Sequence, residues 1–180
     1  ARGDPHGAAQ PRVGSANPAP ASVSVILGNG RGGFGAKVDY PTCSNTHDAA
    51  LGDFNGDGKL DVITACWGGS VVSVLLGNGD GTLRAKVDYP AGAAPHSVVV
   101  GRFDGDAFLD AAIANHDGNT VSVLRGNGDG TFKPQVAYAV GSGPHSLRAG
   151  DLNGDGRVDL VSANEFSNNV SVLLGNGDGT

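Results

Sequence analysis

Short apolar runs alternate with polar connections along the whole chain, and no stretch sustains the 3.6-residue period of an amphipathic helix. The clearest stretch has β-prone segments at 132–140, 144–150, 160–164 and 170–174, and Ser171 stands between apolar neighbours in the last of them. Gly, Asn and Asp fill the connections, as is typical of turns between strands. The pattern therefore predicts four short strands in this stretch and an all-β fold.

The chain repeats itself with a period of 49 residues, because a Gly-Asn-Gly tripeptide begins at Gly28, Gly77, Gly126 and Gly175. Two further markers keep this period: an aspartate-rich hexapeptide at 53–58, 102–107 and 151–156, and a histidine at His47, His96 and His145. Four short strands in a unit of this length match one β-propeller blade. The sequence predicts a β-propeller of 49-residue, four-stranded blades, with full blades at 34–77, 83–126 and 132–175 and a partial one before them.

Residues 1–14 are predicted to be a degenerate repeat remnant, and residues 15–180 carry the propeller blades. In the remnant, Asp4 aligns with Asp53, but Ala8 and Arg12 replace the later acidic positions. A closed propeller needs at least about four blades. We therefore expect this chain either to be a fragment that pairs with the remainder of a longer propeller chain, or to form a homo-oligomer that completes the ring.

Two loops place oxygen-bearing side chains at positions 1, 3, 5 and 9, with a glycine at position 6 that permits a sharp turn. Hard oxygen ligands in this spacing suit Ca²⁺, and the backbone carbonyl at position 7 completes the shell. The predicted metal ligands are Asp53, Asn55, Asp57, Lys59 and Asp61 in the first loop, and Asp151, Asn153, Asp155, Arg157 and Asp159 in the second.

The middle loop departs from this pattern, since Arg102 stands at position 1 and Ala107 replaces the glycine. A guanidinium has no lone pair for a metal ion. We expect a weak or degenerate metal site there, formed by Asp104, Asp106 and Asp110, with Arg102 pairing to one of these carboxylates.

The two Asp-x-Asn-Gly-Asp-Gly-x-x-Asp loops and the Gly-Asn-Gly-Asp-Gly-Thr turns resemble the FG-GAP/VCBS repeat family of calcium-loop propellers, which includes the integrin α-subunit head and several lectins. The resemblance covers about residues 15–180. It implies a calcium-stabilised module for binding or adhesion that is extracellular or on the cell surface. Its ligand would be a carbohydrate or a protein.

Up-and-down strand order places the histidines on the face opposite the calcium loops, together with the loops that vary most between repeats. A tryptophan beside Asn and Asp would suit a sugar ring. The structural alternative for the tryptophan is an aromatic side chain that packs within its loop. The structural alternative for the histidines is that each one caps a neighbouring loop. The candidate ligand-binding residues are Trp67, His96, Asn115, His116, Asp117, His145, Asn164 and Glu165.

Cys43 and Cys66 map to this same face of one repeat, and we expect a disulfide between them, as in an exported protein. Seventeen of the 18 acidic residues are Asp, and most of these belong to the loops and turns, so the net charge of −6 says little about partners. The absence of basic clusters argues against nucleic acid. No apolar run approaches the ~18 residues of a membrane-spanning helix, so no membrane insertion is expected.

Two other functions remain open at this point. A metal-dependent enzyme could use the face lined by histidines and carboxylates, with the histidine column binding a transition metal. No known nucleophile, zinc-protease or phosphate-binding motif supports an enzyme. The other alternative is a purely structural spacer built of repeats.

Overall fold

A computed structural model describes residues 11–17 and 19–180, without the side chains of residues 11–15; most of the predicted remnant at 1–14 lies outside these ranges. The described residues form fourteen strands and no helix, which confirms the all-β prediction and leaves no helix that could cross a membrane. The strands are β1 (Pro11–Asn17), β2 (Ser22–Leu27), β3 (Val38–Pro41), β4 (Thr46–Gly52), β5 (Asp61–Cys66), β6 (Val71–Leu75), β7 (Val87–Pro90), β8 (Pro95–Gly101), β9 (Asp110–Asn115), β10 (Thr120–Leu124), β11 (Val136–Ala139), β12 (Pro144–Gly150), β13 (Asp159–Asn164) and β14 (Asn169–Leu173).

These strands form four antiparallel sheets in chain order: β1–β2–β3, β4–β5–β6–β7, β8–β9–β10–β11 and β12–β13–β14. The central strands β5 and β9 are buried along their full length, whereas β7 and β11 are mostly exposed. The largest apolar cluster joins the second sheet to the third, with Phe54, Ile63, Val98 and Ile113 among its members. Side chains packed between successive sheets therefore form the core.

The sheets do not coincide with the predicted units. Strand β3 opens the predicted unit 34–77, but it pairs with β2 of the preceding sheet, and β7 and β11 pair backward in the same way. The structure therefore has two four-stranded and two three-stranded sheets, in place of three full units and a partial one. The apolar alternation locates each strand but carries no information about which neighbour it joins.

Hydrogen bonds also link one sheet to the next. Asp48 Oδ2 on β4 accepts from both Ser97 Oγ and Val98 N on β8, each at 3.0 Å. Leu147 N on β12 donates to the same Ser97 hydroxyl at 3.3 Å. The strands β4, β8 and β12 each stand at one side of their sheet and pack against one another, and these bonds hold them side by side; we call them the innermost strands.

The first glycine of the Gly-Asn-Gly turns at 77, 126 and 175 allows a close approach of two backbone segments. A Cβ at Gly77 would lie 2.1 Å from Leu60 O, and Gly126 and Gly175 have the same crowded setting. The aspartates of the turns are bonded locally, as Asp80 Oδ1 accepts from Thr82 N at 2.9 Å. This supports hairpin turns rather than additional cation sites at these positions.

Candidate functional site

Each innermost strand has a histidine at its beginning and an acidic loop after its end. On β4 these are His47 and the loop that begins at Asp53, and β8 and β12 repeat the arrangement. A seven-residue strand spans about 20 Å. The histidines and the acidic loops (53–61, 102–110 and 151–159) therefore lie at opposite ends of the strands. We call the two ends of the strands the histidine edge and the acidic edge.

The first acidic loop is curled by its leading aspartate. The Asp53 carboxylate accepts hydrogen bonds from Asp57 N at 3.2 Å and Gly58 N at 2.8 Å, and Asn55 Oδ1 also accepts from Asp57 N at 3.0 Å. Asp57 Oδ2 lies 3.4 Å from Lys59 Nζ. The oxygen-bearing side chains of positions 1, 3 and 5 thus line a loop whose backbone amides point at the carboxylate of position 1.

The third acidic loop has the same construction. Asp151 accepts from Gly156 N at 2.9 Å and Gly154 N at 2.7 Å. The hydrogen bond from Gly156 N, followed by that from Gly154 N, lowers the pKa of the Asp151 carboxyl. The carboxylate therefore carries its negative charge at neutral pH, as a cation ligand requires. Asn153 Nδ2 donates to Asp155 Oδ2 at 3.1 Å, which keeps the two side chains together.

The aspartate at position 9 of each loop has a structural role that the sequence analysis missed. Asp61 is fully buried, and its carboxylate accepts from Phe54 N at 2.9 Å and from Gly77 N at 2.8 Å. Asp110 and Asp159 make the equivalent pairs of bonds. Burial raises the pKa of Asp61 and Asp110. These residues connect each acidic loop to the Gly-Asn-Gly turn that follows the third strand of the same sheet.

The middle loop holds the tightest carboxylate group. Ligand atoms of Asp104, Asp106 and Asp110 lie within 4.8 Å of one another, the one such group of His, Cys, Asp and Glu in residues 11–17 and 19–180. Arg102 Nε donates to the carbonyl oxygen of Ala107 at 3.1 Å, in place of the expected pairing with a carboxylate. The loop predicted to bind metal most weakly is therefore the one whose carboxylates already converge. Its position for the first ligand is occupied by Arg102.

The histidine edge carries a cluster of rings, here called the aromatic–histidine cluster: His47, Trp67, His96, His116, His145 and Phe166. The distances between ring centroids are 4.6 Å for His47–His96, 3.8 Å for His96–His145, 5.2 Å for His47–Trp67, 4.7 Å for Trp67–His116 and 5.0 Å for His116–Phe166. Three sheets contribute to the cluster, so the 49-residue spacing of the histidines brings them into contact. Phe166 was not among the candidate residues, although it directly follows Glu165 in the same loop.

Hydrogen bonds orient two of these imidazoles. His116 is buried between its neighbours, with Nδ1 2.7 Å from Asp117 Oδ1 and Nε2 3.4 Å from Glu165 Oε2. His96 Nδ1 lies 2.8 Å from the carbonyl oxygen of His145. Burial, with repulsion from the charged form of His145, lowers the pKa of His47 and His96. Within the described chain, no three ligand atoms meet within 4.8 Å at this edge, so the geometry does not form the transition-metal site of the alternative enzyme function.

Besides His116, two candidate ligand-binding residues prove to be buried, which corrects the prediction for them. Asn115 is fully buried, and Asn164 is 3% exposed. Asn115 Nδ2 donates to Ser122 Oγ at 2.7 Å, and Asn164 Nδ2 donates to Ser171 Oγ at 2.8 Å. Both side chains hold neighbouring strands together beneath the edge, and Asn164 also lies at the bottom of a depression in the surface.

The remaining candidates lie at the surface of the cluster. Trp67 is half-buried, and Asp117 and Glu165 are exposed. A depression of about 610 Å³ adjoins the cluster, lined by His145, Glu165 and Asn168 among others. Cys43 and Cys66 form a disulfide bond at this edge, with their Cα atoms 5.7 Å apart. His145 and Glu165 thus connect the depression to the rings of the cluster, through His96 and His116.

Comparison with known proteins supports the repeat and the fold. Similar solved structures include a functionally unknown protein from Desulfotomaculum acetoxidans (TM-score 0.59, 18% identity over 88% of this chain and 50% of that one) and the Tc holotoxin pore of Photorhabdus luminescens (TM-score 0.50, 17% identity over 94% of this chain and 9% of that one). The chain thus spans half of the first structure and a small part of the second. Among curated proteins, none matches the chain.

The model of the FG-GAP-like repeat matches residues 13–64 and 102–162, which is more than half of the chain. These two stretches contain all three acidic loops, and they agree with the internal period. The chain therefore belongs to the FG-GAP-like repeat family.

Proposed function

We propose that this chain is a calcium-stabilised, propeller-type binding module that recognises a carbohydrate or protein ligand through the aromatic–histidine cluster. The observation that carries the proposal is the convergence of Trp67, His116 and Phe166 from different sheets around exposed carboxylates. Side chains on loops at one edge of a rigid β scaffold are a common arrangement for ligand binding. The four sheets would be blades of the propeller.

The chemistry of this surface suits a sugar. The exposed ring of Phe166 and the half-buried ring of Trp67 offer apolar faces to the C–H groups of a pyranose. The Asp117 and Glu165 carboxylates beside His116 can accept hydrogen bonds from sugar hydroxyls. The depression next to His145 gives such a ligand a concave seat.

Calcium would act at the other edge, as a structural ion. The donor set of the first and third loops consists of carboxylate, amide and carbonyl oxygens, which fits Ca²⁺. The ion pair between Asp57 and Lys59 would have to break before the Asp57 carboxylate could join the calcium coordination shell. Bound calcium would also neutralise carboxylates that otherwise repel one another. The disulfide and the family membership support a location outside the cell, where millimolar calcium fills sites of modest affinity.

A glycan array, run with calcium and with chelator, tests the proposal. Binding should require the cluster, so Trp67→Ala and Phe166→Ala should each weaken it about tenfold. Phe108→Ala is the matched control, because Phe108 is an exposed aromatic on the acidic edge. Should no glycan and no protein ligand bind to the folded, calcium-loaded chain, the binding function is wrong and a structural spacer remains.

A further inference from the structure

Four asparagines occupy the same place in the four Gly-Asn-Gly turns, and each is followed directly by a glycine: Asn29, Asn78, Asn127 and Asn176. Such a pair can react with itself, because the backbone nitrogen of the glycine can attack the side-chain carbonyl carbon of the asparagine, and no Cβ hinders its approach. All four asparagines are exposed, and the φ of the following glycine lies between 71° and 86°. The turns therefore share their backbone conformation and their access to water, so their reactivities should differ through the bonds of the asparagine side chain.

In three of the turns a threonine holds the side-chain amide. Asn78 Nδ2 donates to Thr82 Oγ1 at 2.9 Å, and the equivalent bonds of the third and fourth turns are 2.8 and 3.1 Å long. Nδ2 is the atom that must leave when the glycine nitrogen attacks, so this bond holds the leaving group. The first turn has Gly33 in place of the threonine, and Asn29 Nδ2 makes no hydrogen bond within the described part of the chain.

The carbonyl group of Asn29 is bonded instead to the backbone of its own turn. Asn29 Oδ1 accepts from Arg31 N at 2.9 Å and from Gly33 N at 3.0 Å. The bond from the amide two residues further on folds the side chain back over the peptide that carries Gly30 N. Two N–H groups at Oδ1 also stabilise the negative charge that develops on this oxygen during the attack, as in an oxyanion hole. Asn29 therefore combines a free leaving group with a polarised carbonyl.

The chain has two more Asn-Gly pairs, in the first and third acidic loops, and their surroundings are less favourable. Asn55 Oδ1 accepts one bond, from Asp57 N at 3.0 Å, and this N–H is shared with a neighbouring carboxylate. Negative charge that develops at Asn55 is repelled by the carboxylates of the loop. At Asn153 the attacking nitrogen is engaged, since Gly154 N donates to Asp151 Oδ1 at 2.7 Å. Among these pairs, the structure favours reaction at Asn29 most.

We propose that Asn29 is a self-modification site, at which the side-chain amide is hydrolysed to a carboxylate by way of a cyclic imide. Gly30 N passes its proton to water and bonds to Asn29 Cγ. The Cγ–Nδ2 bond breaks, and Nδ2 takes a proton from water and leaves as ammonia. Water then adds to one of the two ring carbonyls: opening at Cγ gives aspartate, and opening at the backbone carbonyl carbon gives isoaspartate. Among the described residues, none apart from the adjacent ones comes within 4 Å of a Cβ built at Gly30 or Gly32, so the turn has room for the ring.

The product places one more negative charge on the acidic edge. In the aspartate form the new carboxylate still accepts from Arg31 N and Gly33 N, and a charged acceptor strengthens both bonds, so the turn keeps its shape. Because the ammonia is lost to solvent, the change does not reverse. The fraction of converted chains therefore records the age of the protein.

Timed incubation of the folded full chain at pH 8, followed by peptide mapping with mass spectrometry, tests the proposal. Each converted asparagine shows the mass increase of an amide that becomes an acid. We expect Asn29 to convert about tenfold faster than Asn78 and Asn127, because one hydrogen bond that holds the amide corresponds to a rate ratio of this size. In denaturant the side-chain bonds are absent, so the same asparagines should convert at similar rates. Equal rates in the folded chain, or an unchanged ratio in denaturant, would overturn the proposal.

Exchange of turn residues provides a second test. Gly33→Thr supplies the missing hydroxyl, since a Cβ at this position would lie 2.6 Å from Asn29 Nδ2, and it should slow Asn29 to the rate of Asn78. Ala36→Thr is the matched control at an exposed position of the same loop and should leave the rate of Asn29 unchanged. Thr82→Val removes a hydroxyl and should accelerate Asn78, whereas Thr82→Ser should not. If Asn29 reacts equally fast in the Gly33→Thr and Ala36→Thr variants, the side-chain bonds do not govern the reaction and the proposal is wrong.

Discussion

Asn115 Oδ1 accepts a hydrogen bond from Gly92 N at 3.0 Å, at the two repeat positions that Cys66 and Cys43 occupy one period earlier. The disulfide and the hydrogen bond therefore make the same connection, from the end of a central strand to the segment that precedes the innermost strand of the same sheet. In both sheets this link supports the histidine edge from below. One repeat uses a covalent bond, and the next uses a buried amide.

The double variant Cys43→Gly, Cys66→Asn should keep the fold, because it installs the pair that the next sheet already uses. The free energy of unfolding should fall by about 3 kcal/mol, the expected value for a disulfide that closes a loop of 23 residues. Denaturant titration measures the change. Cys43→Ala, Cys66→Ala is the control and should lose more, since it removes the disulfide without installing the hydrogen bond that Asn115 makes to Gly92 N in the next sheet. Equal losses would show that the amide link contributes nothing.

Acidification should destabilise the histidine edge. The pKa of His96 and of His47 is lowered in the folded state, so the folded chain binds fewer protons than the unfolded chain near the ordinary histidine pKa of about 6.5. The contribution of these two histidines to the free energy of unfolding is then fully present above pH 6.5 and is lost as the pH falls through their lowered pKa values. Unfolding titrations at pH 8.0, 6.5 and 5.5 measure this slope. His96→Gln should flatten it, and an unchanged slope in that variant would contradict the assignment.

The repeat made much of the fold accessible from sequence alone. The segments predicted at 144–150, 160–164 and 170–174 agree with β12, β13 and β14 to within one residue at each end. The grouping of strands into sheets was not accessible, because strand pairing depends on turns and packing that alternation does not encode. At the site, the periodic spacing correctly placed His96 near His145. Asn115 was misjudged as a surface ligand, yet its alignment with the buried Cys66 was a signal of its structural role.

Replacing Arg102 by Asp should create a further calcium site. The carboxylates of Asp104, Asp106 and Asp110 already converge, and Arg102 occupies the position of the first ligand. Calorimetric titration of Arg102→Asp should show one more bound calcium ion per chain than the natural protein. Arg148→Asp, which makes the same charge change on β12, should not. If both variants bind as much calcium as the natural chain, the middle loop cannot be completed in this way.

Replacing Ala94 by glycine should change the free energy of unfolding differently from replacing its neighbour Ala93 by glycine. Its φ of 54° lies in the left-handed region, where the equivalent positions hold Asn45 (φ 56°) and Gly143 (φ 67°). Ala94→Gly relieves a strain of about 1 to 2 kcal/mol, partly offset by the greater freedom of the unfolded chain. Ala93→Gly is the control at an exposed position, and it is destabilised only by the greater freedom of the unfolded chain. Ala94 is buried, so Ala94→Gly also loses about 0.8 kcal/mol of methyl burial. The two variants should therefore differ by up to about 1 kcal/mol in unfolding free energy, with Ala94→Gly the more stable.

The backward pairing of β7 and β11 determines how the chain would respond to a pulling force. Each of these strands is the outer strand of one sheet and leads directly into the innermost strand of the next, so tension on a sheet is transmitted to the sheet before it. A single sheet cannot be extracted without peeling its predecessor. Stretching the chain between its ends should consequently produce large cooperative ruptures that release more than one 49-residue repeat at a time, rather than a ladder of single-repeat steps.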